Sequence, residues 1–100
     1  MAIHFKDKWL EDFYFEDCRH RKIPANLHTT LYRKLQMLDM AKDVMDLRSP
    51  PGNQLEALAG NLTGWYSIRV NKQYRIIFRW HDGHVLHACL DPHTYRGISL

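Results

Sequence analysis

A stripe of leucines in the first half of the chain is the feature that most constrains its fold. Four leucines recur at spacings of four, four and three residues: Leu27, Leu31, Leu35 and Leu38. This spacing places them on one side of a helix. Pro24 is suited to the first turn of that helix, where an amide hydrogen is not needed. Residues 49–53 (SPPGN) are expected to stop all helix, because proline lacks that hydrogen and fixes its backbone angle.

The residues before this helix predict a short strand and a further amphipathic helix. Residues 2–5 are partly apolar and suit an edge strand. Over residues 8–17, apolar side chains recur at helical spacing and acidic ones lie opposite, which predicts a helix. Residues 18–22 form a polar connection, and residues 41–47 are expected to add another helical turn or two.

Beyond residue 54 the apolar pattern has a period of two, which is typical of strands. Strands are predicted over residues 55–58, 65–70, 74–80 and 85–90. Asp82-Gly83 is a strong signal for a tight hairpin between the last two strands. The order of elements predicts an α+β fold, with two N-terminal helices packed on a mainly antiparallel sheet. We expect a single domain that spans residues 1–100.

The positive charge of the chain is concentrated in its second half. The net charge is +3, and residues 1–46 carry eight acidic and eight basic side chains, which cancel. Residues 47–100 carry six basic and three acidic side chains, and five of the six basic ones are arginines. Because arginine binds phosphate through paired hydrogen bonds, this half favours a polyanionic partner.

Several features predict a cytoplasmic protein. No apolar run approaches the roughly 20 residues that a membrane-spanning helix needs. The first residues lack the apolar segment of a secretory signal. The two cysteines, Cys18 and Cys89, form neither a disulfide framework nor a thiolate metal site. We therefore expect reduced thiols, a cytoplasmic location and no membrane partner.

Three arginines of the predicted hairpin strands are candidates for phosphate binding. Arg69, Arg75 and Arg79 have the same parity, so a shared face that carries all three is one interpretation. The alternative is that they belong to the solvated outer face of a sheet with one buried side.

A second candidate group follows the last long strand. Asp91, His93 and Tyr95 come close together along the chain there. Histidine titrates near neutral pH, so His93 is suited to proton exchange with an oxygen nucleophile or leaving group. The alternative is a terminal histidine without a role.

The remaining histidines and aromatic residues are given structural roles. His81, His84 and His87 straddle the hairpin, where side chains usually diverge, so no metal site is expected. Four aromatic residues are predicted to belong to the core: Trp9, Phe13, Phe78 and Trp80. Three others are the candidates for stacking on RNA bases: Tyr66, Tyr74 and Tyr95.

Several strings, in this order of elements, resemble the HigB family of bacterial toxins within the RelE/ParE superfamily. They are residues 34–39 (KLQMLD), 46–53 (DLRSPPGN), 55–60 (LEALAG) and 64–78 (GWYSIRVNKQYRIIF). The last is the most telling, because it is similar to the family signature G-x-x-S-I-x-V followed by W/Y-R-I-x-F. The likeness runs over the whole order of elements, and its specificity lies in residues 46–93.

The resemblance implies a RelE-like fold and a toxin that cuts messenger RNA in the ribosomal A site, where it contacts 16S ribosomal RNA. The reaction would be transesterification by the ribose 2′-hydroxyl, without a metal or other cofactor. The resemblance also implies a HigA-like helix-turn-helix antitoxin that neutralises the toxin. Operator DNA would then be bound only through the antitoxin.

The resemblance also implies site residues. Arg75 is the arginine of the W/Y-R-I motif and would stabilise the phosphate. His93 and Asp91 match a histidine and an aspartate near the family's C-terminus. His93 would transfer a proton, and Asp91 would do the same or orient His93. Glu56 stands where some members have histidine, so a carboxylate is a candidate base there.

Further residues would bind RNA on this resemblance. Arg69, Lys72 and Arg79 would contact the backbone of messenger or ribosomal RNA. Pro92 stands where the family often has tyrosine, and Tyr95 is the candidate to replace that ring.

Two other functions fit the same fold. A ParE-like relative would inhibit DNA gyrase without cutting RNA, and Arg75 with the Asp91/His93 pair argues against it. The other is a catalytically weak module that binds the ribosome or the antitoxin through the basic face.

Overall fold

One sheet forms the centre of the molecule, and helices cover one of its faces. The computed structural model describes residues 2–92 and the backbone of residues 97–99. In chain order the elements are β1 (Ile3–Phe5), α1 (Lys8–Glu16), α2 (His28–Met40), β2 (Glu56–Leu58), β3 (Trp65–Arg69), β4 (Arg75–His81), β5 (His84–Asp91) and β6 (Gly97–Ser99). The strand order is β1-β5-β4-β3-β2-β6. The strand β1 runs parallel to β5 and the other described pairs are antiparallel, which confirms the predicted α+β class.

The predicted leucine stripe is buried throughout. Leu27 is 3% exposed, and the other three leucines of the stripe are fully buried. They pack in one core with the alternate residues Ile68, Ile76 and Phe78 of β3 and β4. We call this covered side of the sheet the inner face, and the opposite side the outer face.

The aromatic residues that were predicted to be core follow that prediction. Phe13 and Phe78 are buried, and Trp9 and Trp80 pack partly buried against the same core. Of the candidates for base stacking, Tyr66 and Tyr74 are half-buried and pack against this core as well. Tyr95 lies outside the described residues.

The segment after α2 differs from its prediction. Ala41 is extended, and the chain instead makes a separate 3-10 turn over Val44–Arg48. Asp43 caps this turn by accepting a hydrogen bond from the Met45 amide. A further 3-10 turn, Pro51–Asn53, forms where all helix was expected to stop. A proline at the first position of a turn needs no amide hydrogen, so it begins this turn without cost.

The hairpin between β4 and β5 has the predicted two-residue turn. Asp82 and Gly83 have φ angles of 50° and 80°, the left-handed values that a tight hairpin turn requires. Farther along the hairpin the register shifts by one residue between Ile77 and Arg79, because β5 contains an extra residue. His87 lies in this β-bulge with a φ of 56°.

The sequence pattern missed the sixth strand. Gly97–Ser99 pairs antiparallel with β2 and forms the sheet edge opposite β1. Three residues are too few for an alternating pattern to be recognised. Among the described residues, no helix is long and apolar enough to cross a membrane.

A small apolar cluster lies on the outer face. Leu58, Ile77 and Cys89 are buried in it, and Leu62 and Trp65 pack against them. Ile77 thus lies on the outer face, whereas its neighbours Ile76 and Phe78 lie on the inner face. The outer face is therefore not uniformly solvated.

We predict that the two free thiols differ strongly in reactivity. Cys18 is exposed, whereas burial raises the pKa of the Cys89 thiol to about 11. The thiolate is the reactive form, so a thiol reagent at pH 8 should label Cys18 alone in the folded protein. Mass spectrometry after alkylation measures this, with labelling in denaturant as the control. Equal labelling of both cysteines without denaturant would contradict the buried position of Cys89.

Candidate functional site

Strand register brings four of the predicted site residues together on the outer face. Arg69, Arg75 and Asp91 lie opposite one another across β3, β4 and β5. Ser67 precedes Arg69 by two residues on β3, and Glu56 on β2 lies opposite Ser67. Directly opposed residues of antiparallel strands are only about 4.5–5.5 Å apart at their Cα atoms. Two arginines and two carboxylates therefore occupy one end of this face.

Arg75 is the centre of a hydrogen-bond network. Its Nε donates to Ser67 Oγ at 2.9 Å, and its Nη2 donates to the carbonyl oxygen of Gln54. The same Nη2 lies 3.5 Å from Glu56 Oε1. The Ser67 hydroxyl in turn donates to Glu56 Oε1 at 3.4 Å. The guanidinium is thus held in one orientation from two strands and a loop.

Arg75 is also buried, with 3% of the residue exposed. Burial lowers the pKa of its guanidinium, the Glu56 carboxylate opposes this shift, and the charge of Arg69 adds to it. Arginine nevertheless remains protonated in proteins. The network therefore holds a positive charge largely withdrawn from water, where it acts more strongly on a neighbouring anion than an exposed charge does.

The loop that supplies the Gln54 carbonyl is anchored from α2. Lys34 Nζ donates to Asn53 Oδ1 at 2.5 Å, and Asn53 Nδ2 donates to the carbonyls of Leu47 and Ser49. Asn53 is fully buried. Gln54 follows it with a φ of 44°, a left-handed conformation that a glutamine seldom adopts. The anchored loop thus maintains a strained residue beside Arg75.

Lys34 is itself a buried cation. It is 8% exposed, and within the described part of the chain it forms no ion pair. Burial lowers the pKa of Lys34, and the charges of Arg33 and Arg69 lower it further. Lys34 is thus a buried cation whose contact with Asn53 ties it to the loop beside Arg75.

A groove of about 320 Å³ lies at this end of the outer face. Its lining consists of Gln54, Arg69, Asn71, Lys72 and Arg75. Asn71 Oδ1 accepts hydrogen bonds from the amides of the next turn residues and so fixes the β3–β4 connection. Three of the five lining residues are cationic, which suits the groove to a phosphate group.

Arg79, the third arginine of the predicted face, lies apart from this groove. It is on the outer face but four residues along β4 from Arg75, a distance of about 13 Å. Its guanidinium lies 5.9 Å from the centre of the Trp65 ring. The structure therefore confirms that the three arginines share one face. Arg69 and Arg75 are neighbours at one end of it, and Arg79 lies at the other end.

His93 and Tyr95 lie outside the described residues. Asp91 ends β5 two residues before His93 and is 8% exposed. Among residues 2–92 and 97–99, no three histidine, cysteine, aspartate or glutamate side chains come together to hold a metal ion.

A larger groove, of about 640 Å³, lies between the end of α1 and the start of α2. Phe13, Tyr14 and Tyr32 supply much of its wall. Its charged residues are of both signs, namely Glu16, Asp17 and Arg19. A wall that carries two acidic side chains and one basic one suits a polyanion less well than the basic groove of the outer face.

Of the groups that hold Arg75, the sequence pointed to Glu56 and not to the others. Ser67 has the parity of the arginines, so a small hydroxyl residue at this position was a usable signal for a buried polar contact. The contribution of Gln54 is a backbone carbonyl, which has no signal in the sequence. Lys34 and Asn53 are far apart along the chain, and no local pattern pairs them.

We predict that Ser67→Ala destabilises the fold. The change removes the acceptor of Arg75 Nε and leaves a buried donor unsatisfied, which costs about 1–3 kcal/mol. Urea unfolding followed by circular dichroism measures the loss. Thr63→Ala is the matched control, since its hydroxyl donates to the Gly60 carbonyl at an exposed position. Equal stability of Ser67→Ala and the wild-type protein would refute the network.

The fold resembles that of toxins of known structure. The YoeB–YefM complex from Staphylococcus aureus contains a chain with a TM-score of 0.59 and 26% identity, covering 91% of this chain and 94% of that one. The YoeB dimer from the same organism aligns with a TM-score of 0.55 and 25% identity over 89% of this chain and 93% of that one. The architecture is therefore that of the YoeB and RelE-like toxins.

Sequence comparisons give a narrower family. The family model described as RelE-like toxin of type II toxin-antitoxin system HigB matches residues 3–93. Toxin HigB-1 of Vibrio cholerae serotype O1 is 61% identical over 95 residues, which are 95% of this chain and 100% of that protein. An uncharacterized protein of Haemophilus influenzae is 48% identical, covering 92% of this chain and 91% of its own length. The chain belongs to the HigB family of RelE-like toxins of type II toxin-antitoxin systems.

Proposed function

We propose that the chain is a ribosome-dependent endoribonuclease that cleaves messenger RNA in the ribosomal A site and so inhibits translation. The observation that carries this proposal is the groove in which Arg69, Lys72 and Arg75 converge beside Glu56. A phosphodiester fits this charge, and membership of the HigB toxin family supports a target in RNA.

The proposed reaction is transesterification without a metal ion or other cofactor. A base takes the proton of the ribose 2′-hydroxyl, and a bond forms between that oxygen and the adjacent phosphorus. The bond from phosphorus to the 5′ oxygen breaks, and an acid protonates this leaving oxygen. The products are a 2′,3′-cyclic phosphate and a free 5′-hydroxyl.

Arg75 is proposed to stabilise the charge that develops on the phosphate. A donor contributes most to catalysis when it is already oriented in a site from which water is excluded. The contacts of Arg75 with Ser67, Gln54 and Glu56 provide that orientation. Its small exposed part lies in the basic groove, where a phosphate would bind.

Glu56, Asp91 and His93 are the proposed proton-transfer residues. Both contacts of the Glu56 carboxylate use Oε1, and these contacts fix the carboxylate beside Arg75. Asp91 lies opposite Arg75 on β5, and His93 follows it by two residues in the sequence. We assign His93 to proton transfer and Asp91 to a second proton transfer or to orienting His93. Glu56 is the candidate base.

The remaining site residues are proposed to bind RNA. Arg69 and Lys72 line the groove and would contact the messenger backbone on either side of the cleaved phosphate. Arg79 and Tyr95 would contact messenger or 16S ribosomal RNA. These contacts would be made inside the ribosome, in the cytoplasm.

A HigA-like helix-turn-helix antitoxin is the proposed protein partner. Type II toxin-antitoxin membership supports an antitoxin, and the similar YoeB chain is described in a complex with YefM. We expect the antitoxin to neutralise the toxin and to be the only component that binds operator DNA.

We predict that His93→Ala weakens or abolishes cleavage in a translating extract. Mapping of 5′-hydroxyl ends should reveal cuts that need active ribosomes and keep codon register in the wild type. Removal of a general acid or base typically slows a reaction by roughly 10²–10⁴-fold. His81→Ala is the matched control, because His81 is exposed at the β4–β5 hairpin.

The other outcomes distinguish the alternatives. If cuts persist in His93→Ala, the protein is still an endoribonuclease, and proton transfer must be assigned to Asp91 or Glu56. Arrested growth without any cuts would favour a ParE-like gyrase inhibitor or a module that only blocks the ribosome.

A further inference from the structure

The end of the outer face remote from the basic groove carries an arginine whose guanidinium lies over a tryptophan ring. Trp65 and Arg79 are directly opposed on β3 and β4. The Arg79 guanidinium lies 5.9 Å from the centre of the Trp65 ring. It also covers Gly64, where an added Cβ atom would meet Arg79 Nη2 at 3.6 Å. Gly64 has a φ of 96°, which favours glycine at this turn.

A β-bulge places a third planar group at this position. His87 occupies the left-handed region with a φ of 56°, which is uncommon for histidine. Its ring centre is 6.1 Å from that of Trp65, with the planes inclined by 34°. Such bulges often redirect a side chain beside a functional site.

These groups are accessible, and their support is rigid. Trp65 packs against the outer-face cluster of Leu58, Ile77 and Cys89, whereas Arg79 and His87 are exposed. Within residues 2–92, Arg79 forms no ion pair. The result is an exposed surface that carries a positive charge beside two aromatic rings.

We propose that Trp65, Arg79 and His87 form a platform on which an unpaired RNA base stacks. The base would lie on the exposed side of the Arg79 guanidinium, away from Trp65. Arginine planes and aromatic rings are common stacking surfaces for single-stranded RNA. This inference rests on the proposed function, because it makes the platform a subsite for the messenger that is cleaved.

The distance along the sheet determines which base is bound. Arg79 is about 13 Å from Arg75 along β4. The stacked base therefore belongs to a nucleotide farther along the strand, not to the two that flank the cleaved phosphate. The platform would then position the messenger relative to Arg75 without touching the reacting atoms.

Stacking and simple phosphate binding make different demands on Arg79. A phosphate contact needs a positive charge and N–H donors, which lysine also supplies. Stacking needs the plane of the guanidinium, which lysine lacks. Arg79→Lys therefore separates the two roles while it preserves the charge.

The test uses ribosomes programmed with messages in which one nucleotide near the cut is replaced by an abasic nucleotide, position by position. For the wild-type toxin we expect one position, outside the cleaved pair, at which kcat/KM falls by about tenfold, mainly through KM. Arg79→Lys should already show a similar loss of kcat/KM on the intact message. The abasic nucleotide at that position should cause this variant no additional loss. Arg33→Lys, an exposed change on α2, is the matched control.

Three results would overturn the platform. One is that Arg79→Lys and the wild type cleave the intact message equally. Another is that no abasic position outside the cleaved pair affects the wild type. The third is that Arg79→Lys lowers only the affinity for the antitoxin, which would assign this surface to a protein.

Failure of the proposed function is recognised separately, because the wild type would then not cleave the intact message. The platform is judged in that case by the fluorescence anisotropy of a short single-stranded RNA. Tighter binding by the wild type than by Arg79→Lys, lost with an abasic strand, would support it. Equal binding by the two proteins would overturn it. Trp65→Leu serves as a second variant and should weaken binding in the same way.

Discussion

The packing of the α2 leucines on the sheet determines where a site can form. Leu31, Leu35 and Leu38 bury Ile68, Ile76 and Phe78, and side chains alternate between the two faces of a strand. Ser67, Arg69 and Arg75 must therefore lie on the outer face. A shift of register by one residue would bring these polar groups into the core, so the buried leucines also enforce the geometry of the basic groove.

The outer face carries a buried positive charge, which is costly unless it is compensated. Removal of a guanidinium from water costs several kcal/mol by order of magnitude, and the partners of Arg75 offset that cost. Ser67, Gln54 and Glu56 contact the Nε and Nη2 atoms of Arg75. Arg75 nevertheless still lines the groove. The arrangement keeps a positive charge at the wall of the groove, held beside the carboxylate of Glu56.

The sequence predicts this architecture wherever a pattern is long enough. The leucine stripe, the alternating strands and the Asp82-Gly83 turn each contain a repeated or specific signal, and the structure has all three. The shared parity of Arg69 and Arg75 also predicts their position side by side. The burial of Arg75 has no such signal, since it depends on a carbonyl of Gln54 and on a loop anchored by Lys34 and Asn53. The bulge at His87 and the three-residue strand β6 are likewise products of tertiary pairing.

The central claim is that this groove binds a phosphodiester which is attacked by the neighbouring 2′-hydroxyl. The most direct measurement is cleavage of a ribosome-bound message in which only the nucleotide preceding the cut is 2′-deoxy. The account predicts that cleavage at that bond is lost, while a 2′-deoxy nucleotide farther along the message leaves it unchanged. Continued cleavage at the substituted bond would contradict it, because the nucleophile would then have to come from elsewhere.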